Sequence, residues 1–418
     1  MPRLAPPSRP VTIHLDGDPV LAEEGEPVTV ALVAAGLVTL ARSPKFHRPR
    51  GPACLRGACD GCLARVDDMP NVMTCRVPAH EGMRIETQNV VGSRDTDLLR
   101  LTDWFFPEGM NHHELLAGVP GASRVMQTLA RRVAGLGRLP GGKEAAPTAA
   151  HRREVDVLVV GAGPSGMASA LALAERGRRV EVVDDDLTWG GGVRVLGGRA
   201  REGWEPLLRT MLEAVSSRRI LVRSRTTATG VYGDDVVVAD GVGIEVVSAK
   251  TLVLAPGAHD GVLAFEGNDV PGVMSARAGC RLLRYGVTPG KRIVVAVAAG
   301  AAPFGQAYAE ARPEATLVRG TPLGIRGSAR PREVSISTGE GEVRLPCDAL
   351  LVDAPRAPAY EICAQAGGDL VHEERGFRVR TAAGGKVRDG VFATGEVVGT
   401  RLEPSEIARE ALALAEAV

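Results

Sequence analysis

A chain of 418 residues has room for two or three domains and a sizeable core. Fifty Lys and Arg offset fifty Asp and Glu, so charge gives no reason to expect a nucleic acid or an anionic membrane as partner. Hydrophobic residues make up 44% of the chain but aromatics only 3%, so its cores must be packed with Val, Leu and Ala. No apolar run reaches the roughly 20 residues of a transmembrane helix. The stretch Val28 to Leu40 is too short and reads as an amphipathic helix. With seven cysteines and no N-terminal signal pattern, a cytoplasmic location is expected, any membrane association coming through partners.

In chain order, VTIHLDG (11–17) alternates and ends in a turn, as an initial strand does. GEPVTVALVAAG then predicts a helix, and MRIETQ a closing strand. Between them lie Cys54, Cys59, Cys62 and Cys75 in CLRGACDGC and TCR, spaced C-x4-C-x2-C with the fourth cysteine thirteen positions on. That is the ligand order of a plant-type 2Fe-2S ferredoxin, in which one tight loop and one later segment enclose two irons. Gly57 and Gly61 lie between the ligands, where the backbone must fold close around the cluster. A structural zinc site also uses four thiolates, but zinc ribbons usually pair two C-x2-C knuckles and only one is present. A disulfide framework does not suit a cysteine-poor cytoplasmic chain. His47, Arg48, Arg50 and Arg56 flank the loop, and positive charge there raises a cluster's potential unless these residues are merely solvated or packing the loop.

The β-α-loop-β order predicts a ferredoxin-like β-grasp domain over 1–94. A connector with helical pieces (DTDLLRLTDWFF, ASRVMQTLARRVAGLG) and a linker rich in Pro, Ala and Gly follow over 95–154. At Val155 a second unit opens as VDVLVVGAGPSGMASALALAERGRRVEVVDDD, which predicts strand, glycine turn, helix and parallel strand. Gly161 allows the tight turn, Gly163 the approach of a pyrophosphate, and Gly166 close packing of helix on strand. With Ala162, Pro164 and Ser165 they form a phosphate loop at a helix N-terminus. Asp184 lies twenty-three residues after Gly161, where a carboxylate accepts from ribose hydroxyls, and Asp185 and Gly191 are expected to bind the cofactor with it.

The fingerprint serves FAD and NAD alike, and two later segments favour FAD. LVLAPGAHD (252–260), with Ala255 and Gly257, resembles the strand and turn that close the first half of a flavoprotein's FAD domain. GVFATGEVVG (390–399) resembles the later motif in which Gly-Asp ends an apolar strand and the acid binds the ribityl chain; here the pair is Gly395-Glu396. These define FAD segments over 155–260 and 359–418 around an inserted NAD-type domain over 261–358. In that insert KRIVVAVAAG predicts a strand and QAYAEA a helix, but the turn reads AAGAAPFG. Alanine methyls there obstruct a pyrophosphate, so a retained fold with a lost or altered nucleotide site is expected. The fold class is therefore α/β and α+β: a 2Fe-2S β-grasp domain, then a Rossmann-like FAD domain with a second dinucleotide domain inserted. Cys280, Cys347 and Cys363 sit in apolar contexts and read as core residues. His112-His113 and His259 read as structural, and no catalytic acid–base set emerges.

FHRPRG (46–51), ARRVAGLGRLP (130–140), GAGPSG, and above all FEGNDVPGVM (265–274) with YGVTPGKR (285–292) carry a resemblance over nearly the whole chain. It resembles the α subunits of heteromeric amino-acid oxidases and dehydrogenases: sarcosine oxidase, hydrogen cyanide synthase, and hydroxyproline or proline dehydrogenase. The resemblance implies a hetero-oligomer in which a glycine-oxidase-like flavoprotein subunit oxidises a C–N bond. Electrons would then pass through FAD to the cluster and out to a quinone, a ferredoxin or a similar acceptor. Sarcosine oxidase α subunits generally lack the cluster cysteines, which favours a dehydrogenase here. Hydrogen cyanide synthase keeps as separate subunits the parts fused here. Neither the folate-binding extension of sarcosine oxidase nor the cysteine-rich C-terminal domain of other relatives is expected. The alternatives are a self-sufficient NAD(P)H-dependent reductase and a non-redox dinucleotide-binding scaffold.

Overall fold

The computed structural model describes residues 3–43, 48–88, 90, 92–94, 96, 125, 149–301 and 303–418. His47, His112-His113, both expected connector helices beyond single residues, and most of the linker lie outside the described residues.

Ile13 and Leu15 alternate with polar residues and are fully buried, which sets the inner face of Pro10–Leu15 (β1). Asp16 and Gly17 both have positive φ, 53° and 92°, the turn that suits the twist of a tight hairpin. Asp18–Glu23 (β2) returns antiparallel, beyond the sequence expectation although Asp-Gly is a hairpin signal. Val28–Ala34 (α1) corrects the expected amphipathic helix: it is shorter, and all seven residues are buried. The sheet covers one side, and the segment from Thr74 to Ala79 covers the other through Val28 N–H to Val77 O and a Thr29–Thr74 hydroxyl pair. Leu63–Val66 (β3), Met69–Met73 (β4) and Arg84–Glu86 (β5) complete a five-stranded sheet in the order β2-β1-β5-β3-β4, with β1 and β5 parallel. Cys62 and Cys75 belong to its core, beside Leu32, Met83 and Ile85.

His151–Val160 (β6) starts four residues before the expected Val155. Its extension pairs with residues 245–248, and Arg153 bridges Glu181 and Glu245. Pro164–Glu175 (α2), Val180–Asp184 (β7) and Ile220–Ser224 (β8) follow, then Thr227–Tyr232 (β9), Asp235–Ala239 (β10) and Ile244–Leu254 (β11). The sheet order is β8-β7-β6-β11-β10-β9, and β6 lies parallel to both β7 and β11. Strand β6, the first of the unit, is central, as in a doubly wound fold.

The inserted segment contributes Val273–Ser275 (β12), Ala276–Arg284 (α3), Ile293–Val297 (β13), Phe304–Ala311 (α4), Thr316–Arg319 (β14) and Ala349–Asp353 (β15). Its sheet runs β12-β15-β13-β14, with a three-stranded antiparallel sheet between residues 321 and 346. Val391–Ala393 (β16) rejoins the first sheet beside β11, and Pro404–Ala417 (α5) packs on α2. The chain divides into two compact units. One is Met1–Glu144 with Leu263–Val297 and Glu314–Val352; the other is Ala145–Val262 with Ala298–Pro313 and Asp353–Val418. No helix among the described residues is long and apolar enough to cross a membrane.

Candidate functional site

Cys54, Cys62 and Cys75 are buried and Cys59 is half-buried. The backbone packs tightly enough to dictate glycine: a Cβ on Gly61 would lie 1.9 Å from Gly51 O. Thr74 fixes the last ligand, donating to Cys62 O at 2.8 Å while its hydroxyl meets Thr29 of α1 at 2.7 Å.

The thiols face one another in two pairs, Cys54 with Cys59 and Cys62 with Cys75. Among the described residues no three His, Cys, Asp or Glu side chains converge as ligands of a single ion. Two thiolates per metal suit a cluster whose two irons share bridging sulfides, whereas a structural zinc takes all four on one ion. Backbone amides aim inward. The N–H groups of Arg56 and Ala58 lie 3.4 and 3.3 Å from Cys54 Sγ, those of Ala53 and Gly61 face Cys59, and that of Gly57 faces Cys75. Such donors stabilise thiolates and, in a bound cluster, its reduced form. The donor set fits the cluster. Of the flanking cations, Arg50 is paired with Asp269 at 3.7 Å.

In the second unit three segments distant in sequence converge. Gly161 takes a φ of 102°, and a Cβ on it would lie 2.2 Å from Ala255 O. A Cβ on Gly166 would lie 1.9 Å from Gly161 O, so helix and turn close on each other as the fingerprint requires. No side chain caps α2 at Gly163, Pro164 occupies its first turn, and the space where Gly163 would carry a Cβ is open. The first-turn amides are therefore left for a ligand. Gly191 lies against Gly163, and Gly395, at φ 86°, has its Cβ direction filled by Ser165. Glu396 Oε2 lies 3.9 Å from where a Cβ on Gly257 would sit. A cradle with one open side at a helix N-terminus fits a dinucleotide.

Two acids depart from simple expectation. Asp184 accepts from Ala162 N–H at 2.6 Å and Asp186 N–H at 2.8 Å, so it braces the turn. Burial and the neighbouring Asp185 push its pKa up to about 6. Asp185 itself is exposed. Glu396 forms a 2.9 Å ion pair with Arg356, which is 7% exposed. Arg356 also donates to Ala258 O at 3.0 Å and lies over the Phe304 ring at 5.5 Å. Sequence reading missed Arg356, because nothing in APRAPAY marks an arginine that packs against a motif forty residues on. It also missed Glu410, whose carboxylate accepts from Gly395 N–H at 3.1 Å and is raised in pKa by burial.

The second dinucleotide turn keeps its strand and helix, β13 and α4. Where a phosphate would meet the helix N-terminus, the Asp353 carboxylate accepts from Gly305 N–H at 2.6 Å. His259 is exposed and lies 3.0 Å from Glu361. Cys280, Cys347 and Cys363 are buried, and desolvation pushes Cys347 to about 11 and Cys363 to about 12.

Fold and sites together define an iron–sulfur flavoprotein oxidoreductase with a 2Fe-2S cluster and FAD. Residues 8–90 match the family model of a 2Fe-2S iron-sulfur cluster binding domain, and residues 155–322 that of pyridine nucleotide-disulphide oxidoreductases. Over 312 residues, 68% of this chain and 31% of the relative, it is 32% identical to sarcosine oxidase subunit alpha of Rhizobium meliloti. Over 79 residues, 19% of this chain and 75% of the relative, it is 40% identical to hydrogen cyanide synthase subunit HcnA of Pseudomonas aeruginosa. The crystal structure of L-proline dehydrogenase from P. horikoshii superposes with a TM-score of 0.74 at 22% identity, covering 99% of this chain and 74% of that one, a likeness of fold. These likenesses place the chain among iron–sulfur flavoproteins related to the α subunits of sarcosine oxidase. It spans about a third of the length of the sarcosine oxidase α subunits it matches.

Proposed function

We propose that this chain is the electron-transfer subunit of a multi-subunit dehydrogenase that oxidises a C–N bond of an amino acid or secondary amine. The observation that carries the reading is the contrast between two dinucleotide turns. The first is open at its helix N-terminus, whereas the second has Asp353 on Gly305 N–H and alanines where phosphate-loop glycines belong. A carboxylate at that helix end repels the pyrophosphate a nicotinamide nucleotide would place there. Reducing equivalents then enter from a partner, in line with the subunit names of the relatives.

In this reading Gly161, Ala162, Gly163, Pro164, Ser165 and Gly166 hold the pyrophosphate at the start of α2. Asp184 and Asp185 face the adenosine ribose, Gly191 closes on the turn, and Ala255 and Gly257 flank the flavin side. Gly395 and Glu396 face the ribityl chain. Cys54 and Cys59 would hold one iron of the cluster, and Cys62 and Cys75 the other. FAD and the cluster, when bound, couple two-electron to one-electron chemistry. Substrate oxidation falls to a glycine-oxidase-like flavoprotein partner; His259 of this chain is turned to Glu361.

The test is co-expression with the neighbouring gene products, followed by anaerobic addition of candidate amines or NADH. The complex should bleach in flavin and cluster absorbance with an amine substrate and stay oxidised with NADH. Rapid bleaching of the isolated chain by NADH would instead establish a self-sufficient reductase.

A further inference from the structure

NDVPGVM and the helix that follows it belong to neither cofactor site, yet they seat the cluster loop, while YGVTPGKR meets the chain's N-terminal segment. Asp269 pairs with Arg50, and Pro271 lies under Gly51, where a glycine Cβ would come within 2.9 Å of it. Ser275 N–H donates to Ala53 O at 2.9 Å, and Gly286 O accepts from Leu4 N–H at 2.7 Å. One further contact reaches the ligands: Arg281 Nη1, on α3, donates to Leu55 O at 3.5 Å. Residues 53 and 55, on either side of Cys54, are thus both held from the inserted domain.

Leu55 is 5% exposed and has a φ of 51°, a left-handed conformation uncommon for a residue with a Cβ. The conformation turns one peptide plane in two directions at once. Its carbonyl, from Leu55, points to Arg281, and its N–H, from Arg56, points to Cys54 Sγ at 3.4 Å. A cation on the carbonyl polarises the peptide and strengthens its N–H as a donor. It also prevents the plane from rotating out of the strained conformation.

We propose that Arg281 is a positioning residue of the iron–sulfur centre: by holding the Leu55–Arg56 peptide it keeps Arg56 N–H on Cys54 Sγ and raises the cluster's reduction potential. The inference rests on the cluster site alone and is independent of which amine is oxidised or which partner supplies electrons. Hydrogen bonds to cluster sulfurs are among the determinants of potential, so their loss favours the oxidised form.

The experiment is a potentiometric titration of the full chain followed by electron paramagnetic resonance, with iron per chain measured first. A wild-type chain without two irons would refute the cluster, a failure distinct from that of the positioning role. R281M should keep two irons, and its oxidised-to-reduced ratio at a fixed potential should rise about tenfold, equal to about 59 mV for a one-electron couple. R281K, which retains charge and a donor, should recover most of that shift. Exposed Arg284 on the same helix is the control, and R284M should leave the potential in place. An unshifted R281M with two irons overturns the proposal, and so do equal shifts in R281M and R284M, which would reduce Arg281 to a distant charge. If R281M does not assemble a cluster, R281Q must shift in the same direction, and an unshifted R281Q overturns it equally.

Discussion

Replacing Arg356 by Met tests whether the ion pair with Glu396 supports the second motif of the FAD-type domain. Both side chains are withdrawn from water, 7% and 17% exposed, and they meet at 2.9 Å. Removing the guanidinium leaves a carboxylate without its counter-charge, deprives Ala258 O of a donor and vacates the face of Phe304. Breaking one side of a buried pair costs about 3–5 kcal/mol, most of it the penalty of the charge left behind. At 2–4 °C per kcal/mol, a unit of about 200 residues should lose roughly 6–20 °C in Tm. The double variant R356M/E396Q removes both charges and should recover most of the loss, a coupling that a double-mutant cycle reads directly. Thermal unfolding and flavin content would be measured on wild type, R356M, E396Q and the double variant. A loss below about 1 kcal/mol in R356M, the range of solvent-exposed pairs, would refute the reasoning. So would a double variant no more stable than R356M.

Gly61→Ala forces a methyl to within 1.9 Å of Gly51 O, and backbone cannot yield as a side-chain tip does. Overpacking of this kind costs about 1–3 kcal/mol, so iron content should fall well below that of wild type; a full complement would show that the loop can relax. Cys59→Ser should lose most of its iron by colorimetric assay, since in the proposed assignment it removes one of two thiolates from one metal. Asp184 supplies a pH test on the flavin-free protein. Its folded pKa, about 6, lies above the ordinary 3.8 because of burial and Asp185. The native state therefore binds more protons than the unfolded one between about pH 4 and 6, and stability falls as pH rises through that window. The shift corresponds to roughly 3 kcal/mol at 1.36 kcal/mol per pKa unit. Asp184→Asn should flatten that slope in urea unfolding, and an unchanged slope would count against the buried carboxylate.

Much of the architecture was legible because it depends on local periodicity and on spacing. The run from Val155 to Asp184 encodes strand, turn, helix and strand within thirty residues, and they form at β6, α2 and β7. The cysteine spacing carries its own ligand order. The Val28 helix was misread as amphipathic because its outer face is covered by the segment around Thr74, far along the chain. β2 escaped notice although Asp16 and Gly17 announce its turn.

Neighbouring residues alone specify the inventory: four thiols at ferredoxin spacing, one intact glycine turn, and one turn with alanines in place of glycines. These are properties of neighbouring residues, and local stereochemistry suffices to read them. How that inventory is engaged depends on folding. It sorted the thiols into two pairs, set Asp353 on the second helix N-terminus, matched Arg356 to Glu396, and laid NDVPGVM against the cluster loop. Each of the last three joins residues forty or more positions apart, or residues from different domains. Burial and the pairing of charge are what bring such residues together, and neither leaves a periodic trace in the chain.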